Sequence, residues 1–191
     1  MQNDALTAGV RPDGIKNRRE LRILICFLIF NATEPLAAED LIDLICDQQL
    51  ANYFEACDAI SSLITKKNIK EDTDTGLLTL TDDGLEVAKN LYDTLPITVR
   101  EKAETALKKL IFRKHSEREN KVEIKKLDTG CNVSCTVMSA GLELMSISLY
   151  VPDEHTARLV KERFLDAPAT IYRLALSQLT GTAFSSPTDS Q

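Results

Sequence analysis

The chain has no tryptophan, only two histidines, and seven scattered glycines among 191 residues. Two histidines cannot build a histidine-rich metal site. Scattered glycines leave no glycine-rich loop of the kind that cradles phosphates. Long apolar runs are also missing. The most apolar stretch, "ILICFLIF" at 23–30, is far shorter than the roughly eighteen residues a membrane span requires. The opening "MQNDALTAGV" lacks a basic region followed by an apolar core, so no secretion signal is expected. Five cysteines in such a chain predict free thiols in a reducing compartment. The expected location is the cytoplasm, with no membrane partner.

Acidic residues outnumber basic ones, 29 against 23, for a net charge of -6. The total argues mildly against a nucleic-acid partner, but contact with phosphates is local and the distribution decides. Residues 1–95 hold 9 basic and 17 acidic side chains, and residues 96–191 hold 14 and 12. Residues 100–126 are the most basic stretch, and "KNRR" with Arg22 forms a smaller cluster.

Periodicity organises the rest. Leu21, Leu24, Ile25, Leu28 and Ile29 recur at helical spacing on a segment that is apolar nearly all round, which predicts a central buried helix. Pro35 separates it from a second helix over 38–48 that buries Leu41, Ile42, Leu44 and Ile45. A third helix starts near Asn52. Its inward side is expected to be Phe54, Cys57, Ile60, Ser61 and Ile64, with Tyr53, Ala56 and Leu63 on the shoulder. Its outward side is then Asn52, Glu55, Asp58, Ser62, Thr65 and Lys66. "NIKEDTDTGLLTLT" reads as a two-stranded hairpin around a turn at Gly76, and Thr81 or Asp82 caps the helix that follows.

Three helices, a hairpin and a closing helix predict a winged helix-turn-helix domain over 16–95. Residues 96–118 read as a linker helix. Its stripe of Val99, Ala103, Leu107 and Leu110 is the candidate dimerisation face. After Asn120 the period changes to two. Three alternating strands followed by two helices predict a small β-β-β-α-α domain over 119–180. Residues 1–15 and 181–191 are expected to be flexible tails. The fold class is therefore α+β.

The pieces "LITKKNI", "LLTLTDDGLEVAKNL", "LPITVRE" and "LMSISLYVPDEHTARLVKERFLDAPATIYRLALSQL" carry a resemblance. The chain resembles an uncharacterised family from anaerobic Gram-positive bacteria of the clostridial type, catalogued as a domain of unknown function. The resemblance covers residues 15–180. It implies an N-terminal half like that of PadR- and MarR-type repressors and a small C-terminal α/β domain. Val160 and Phe164 stand where the family has a cysteine and a tryptophan, and both keep an apolar residue. The family's presumed role is regulatory.

Chemistry of other kinds finds little footing. Cys26, Cys46 and Cys57 fall on or near apolar helix faces, where free cysteine packs as a small hydrophobe. Cys131 and Cys135 share a strand face about 13 Å apart, too far for one zinc with sulfurs at about 2.3 Å. His115 and His155 stand apart from any cluster of ligands. No catalytic residue, metal or cofactor is expected, and the chain is not read as an enzyme.

Double-stranded DNA is the expected partner. Asn52, Ser62 and Thr65 are the candidates for reading bases. Arg18, Arg19, Arg22, Lys66, Lys67 and Lys70 are the candidates for phosphates. Glu55, Asp58 and the acidic hairpin tip oppose this. The reading is a transcriptional regulator acting as a homodimer, with the second domain supplying dimerisation or effector sensing. The alternative is a winged helix used for protein contact without specific DNA binding. A small-molecule effector would need a pocket near Met138, Met145 and Tyr172.

Overall fold

The computed structural model describes Ile15 and residues 17–182. Of the expected tails, 1–15 and 181–191, residues 1–14 and 183–191 lie outside the described residues, and Gly181 closes the last helix in the left-handed conformation. Ile15, assigned to a tail by its sequence, is buried, and its N–H donates to the Leu50 carbonyl at 3.1 Å.

The chain is a mixed α+β fold with helices at both ends and strands between. It divides into two compact units at Ile111 and Phe112. In the first unit, α1 (Arg18–Asn31) is capped by Asn17, whose side chain accepts from the Glu20 N–H. Leu21 and every residue from Ile23 to Leu28 are buried. A helix with so wide an apolar surface must be surrounded, and α1 is the centre of this unit.

A two-residue strand β1 (Leu36–Ala37) follows, then α2 (Ala38–Asp47) and α3 (Tyr53–Thr65). β2 (Ile69–Glu71) and β3 (Leu77–Leu80) form the expected hairpin. β1 was not anticipated. It pairs antiparallel with β3, so the hairpin is a three-stranded sheet in the order β1-β3-β2. Two residues carry no readable period, and only the register Leu36↔Leu78 reveals them.

α4 (Asp82–Leu91) is capped by Thr81. The Thr81 hydroxyl donates to the Lys67 carbonyl at 2.6 Å, and its oxygen accepts from the Gly84 N–H at 3.2 Å. This pins the start of α4 to the end of α3. Gly84 has no choice of side chain, because a Cβ there would collide with the Asn68 carbonyl oxygen. A short 3-10 turn, Tyr92–Thr94, stacks Tyr92 on Phe27 of α1 at 4.7 Å.

α5 spans Ile97–Glu119. The stripe expected as a dimer face is turned inward. Val99, Ala103 and Leu107 are buried in the core of the first unit, and Leu110 packs against that core. The correction has a simple cause: a helix docked on its own chain and one docked on a partner show the same spacing of apolar residues.

The second unit contains β4 (Lys121–Lys126), β5 (Cys131–Ser139) and β6 (Leu142–Val151), antiparallel in that order. α6 (Glu154–Asp166) and α7 (Pro168–Thr180) follow. Cys131, Val133, Cys135 and Val137 alternate into a core closed by Ala157, Phe164 and Leu165 of α6. The other sheet face is polar, with Ser134 bonded to Ser148 at 2.8 Å and Thr136 to Ser146 at 3.2 Å across the strands. Asp153 caps α6 through the Thr156 N–H at 2.7 Å.

Two outcomes test this account. Gly84→Ala forces apart backbone that is already in contact, and should lower stability by about 1–3 kcal/mol, read by thermal or urea unfolding. At the start of α6, hydrogen bonds from Arg158 and Lys126 hold the Glu154 carboxyl down at about 2, against an ordinary 4.5. A depressed value in the folded state means that its contribution is complete above 4.5 and is lost as pH falls toward 2. The carboxyl should titrate near 2 by NMR, and Glu154→Gln should remove that part of the acid dependence.

Candidate nucleic-acid interface

α3 is positioned from both ends. Its N-cap Asn52 accepts from the Glu55 N–H at 3.0 Å. At its C-terminus the Asn68 N–H bonds the Leu63 carbonyl and the Lys67 N–H bonds the Ile64 carbonyl. This is a Schellman closure, with Lys67 at φ 59 in the position that glycine usually takes.

The inward face differs from the sequence expectation. Glu55, Ala56, Ala59, Ile60 and Leu63 are buried, whereas Phe54 is 82% exposed and Ser61 is exposed. The helix is turned by about one residue, or about 100°. The small side chains Ala56 and Ala59 allow close approach, which an aromatic at Phe54 would prevent. Phe54, Asp58, Ser61 and Thr65, spaced four, three and four, form the open stripe.

Glu55, the acid that argued against DNA, faces inward at 6% exposure. Arg18 Nε donates to its Oε2 at 3.1 Å and Nη2 to its Oε1 at 3.3 Å. Arg18 Nη1 also lies 3.6 Å from Asp58 Oδ2. One guanidinium therefore answers both acids of α3, and the Glu55 hydrogen bond is the main cause of its raised pKa. One turn along α1, Arg22 Nη1 donates to Ser62 Oγ at 3.3 Å.

The predicted contact residues thus separate. Asn52 is a cap and Ser62 is an internal acceptor. Thr65 is exposed, with its hydroxyl on the Ser61 carbonyl at 2.9 Å. Arg18 and Arg22 run beside Glu55, Asp58 and Ser62, a stripe that continues at helical spacing to Lys66. Arg19, Lys66, Lys67 and Lys70 are exposed. The sequence signal for the Arg18–Glu55 pair was slight: the two residues lie 37 apart, and only the packing of α1 on α3 joins them.

The hairpin tip is acidic and self-contained. Asp72 Oδ1 accepts from the Thr75 hydroxyl at 2.7 Å and from the N–H groups of Thr75 and Asp74. These bonds, the Thr75 hydroxyl first, lower its pKa. The carboxylate is committed to holding the turn.

The second unit has a cleft of about 230 Å³ lined by Phe112, His115, Met138, Leu144, Tyr172 and neighbours. Met138 and Tyr172, two of the residues that a sensing pocket would need, line this cleft, whereas Met145 packs on the core. Among the described residues no group of three His, Cys, Asp or Glu is placed to hold a metal ion. No helix among them is long and apolar enough to cross a membrane. Burial pushes the Cys26 thiol up to about 12, as expected of a core cysteine.

A family model described as a domain of unknown function, DUF4364, matches residues 21–179. The chain belongs to the DUF4364 family. No curated protein and no solved structure matches it. The match covers α3, Arg22 beside it and the whole β4-β5-β6 sheet of this DUF4364 member, and Arg18 lies just before its first matched residue.

The Arg18–Glu55 pair yields a stability test. Arg18→Met leaves a buried carboxylate without its partner and should cost about 1–3 kcal/mol. Adding Glu55→Met should recover much of that loss. Unfolding of both single variants and the double variant closes the cycle.

Proposed function

We propose that residues 16–95 form a winged helix of the kind found in PadR- and MarR-type repressors, and that the protein is a DNA-binding transcriptional regulator. The observation that carries this reading is the basic track beside α3. Arg18 and Arg22 flank the helix, Lys66 and Lys67 end it, and Lys70 lies in the adjacent strand. Arg18 neutralises the acids that would repel phosphate. The open stripe then offers the Ser61 and Thr65 hydroxyls, with Phe54 for a thymine methyl and Asp58 for a cytosine amino group. Exposed Arg19, Lys66, Lys67 and Lys70 meet the backbone. In a dimer the two α3 helices would enter grooves about 34 Å apart. The second unit, a β-β-β-α-α domain in this reading, supplies dimerisation or sensing.

One observation favours a second reading, a protein-contact module. Tyr53 and Phe54 are both exposed, in an edge-to-face pair at 5.8 Å, with Glu39 and Asp43 of α2 near Tyr53. Exposed aromatic residues are enriched at protein interfaces.

Genomic DNA fragments retained by the purified protein decide between the two. The regulator reading expects retention that survives physiological salt and weakens about tenfold or more in Lys66→Glu/Lys67→Glu, through lost phosphate contacts. Weak, salt-erased retention that the double variant leaves unchanged would reject it in favour of protein contact.

A further inference from the structure

The two edges of the second sheet are unlike. β4, "KVEIKK", carries four charged side chains in six residues: Lys121, Glu123, Lys125 and Lys126. β6, "LELMSISLYV", carries one in ten, Glu143. Charged side chains, lysine above all, are how natural edge strands discourage pairing with another chain. β4 has that protection and β6 lacks it.

The bonding state of β6 follows from the register. Among the described residues it pairs only with β5. A register shift at Val137/Met138 leaves Leu144 as the extra residue of a bulge. Beyond it, Met145 to Val151 form seven consecutive pairs without interruption. Every outward N–H and C=O of that run faces the sheet edge. Apolar side chains crowd the same edge, with Leu149 42% and Tyr150 63% exposed. Leu149 lies on the face that packs against helices, opposite buried Val133, yet the single layer of helices leaves it open.

We propose that β6 is the dimerisation strand, and that its occupant is β6 of a second copy of this chain, antiparallel about a two-fold axis at Ser148. The side chains of "MSISLYV" alternate symmetrically about that residue. The axis sets Ser148 against its mate, Ile147 against Leu149, Ser146 against Tyr150, and Met145 against Val151. Directly opposed residues share a sheet face, as antiparallel pairing requires. The exposed Leu149 gains an apolar cross-strand neighbour. The hydroxyl row of Ser134 and Ser148 continues into the partner. Glu143 of each copy falls outside the seven-residue ladder, which holds no charged side chain. The two three-stranded sheets become one of six, with the charged β4 strands as its outer edges. An isologous contact of this kind closes on itself and stops at two copies.

This inference does not rest on DNA binding, and solution mass tests it on the full chain. Light scattering at micromolar concentration should give twice the chain mass of 21.2 kDa. Ser148→Lys sets two ammonium groups face to face at an exposed position, and should give a monomer with unchanged circular dichroism. Ser148→Cys should form a disulfide-linked dimer under mild oxidation, detected on a non-reducing gel. Leu159→Lys, at an exposed site on α6, should remain a dimer. A monomeric parent chain, a dimeric Ser148→Lys chain, or a Ser148→Cys chain that resists cross-linking would each overturn the proposal.

Discussion

The burial of α1 is the constraint on which the first unit depends. Leu21 and six consecutive residues, Ile23 to Leu28, are removed from water. No single partner can cover a helix on so many sides. α3, α4, β3 and the turn at Tyr92 all pack against it, and each location is a consequence of that need. The aromatic stack of Phe27 on Tyr92 extends the same core toward α5, with Arg100 lying 4.5 Å over the Tyr92 ring.

Electrostatics follow from this packing. Because α3 buries Ala56, Ala59, Ile60 and Leu63 in the core, Glu55 comes inward and needs a counter-charge. Arg18, at the first turn of α1, is within reach. The ion pair is made in that rotation of α3, which leaves the exposed stripe of Phe54, Asp58, Ser61 and Thr65 facing outward. The same pairing lowers the negative charge at the surface where phosphates would approach, so stability and the proposed recognition draw on one guanidinium.

The second unit meets a different constraint. Three strands with helices on one side leave two edges and one open face. The open face is polar, where serine and threonine hydroxyls bond across strands. The edges cannot be hidden in the same way, because their backbone groups point along the sheet. Charge guards β4, and β6 is left as a regular, nearly uncharged strand. The asymmetry gives the proposed homodimer a location other than α5, whose apolar stripe is already used inside the chain's own core.

Local pattern was sufficient for much of this. The helices at 18–31, 38–47 and 53–65, the hairpin, the Thr81 cap and the alternation of Cys131, Val133, Cys135 and Val137 were all legible, because each depends on neighbours a few residues apart. The buried set of α2 was legible for the same reason. What could not be read depends on distant partners. β1 exists only through β3, the inward place of Glu55 is completed only by Arg18, and the inward turn of α5 arises only through the core around α1. Ala56, Ala59, Ile60 and Leu63 did hold a cleaner helical repeat than the set containing Ser61, and that was the one local clue to the rotation. The sequence by itself determined where helices and strands form, since backbone preference and apolar period are local. The tertiary structure alone decided which faces remain for a partner, since a face is defined only after everything else has packed.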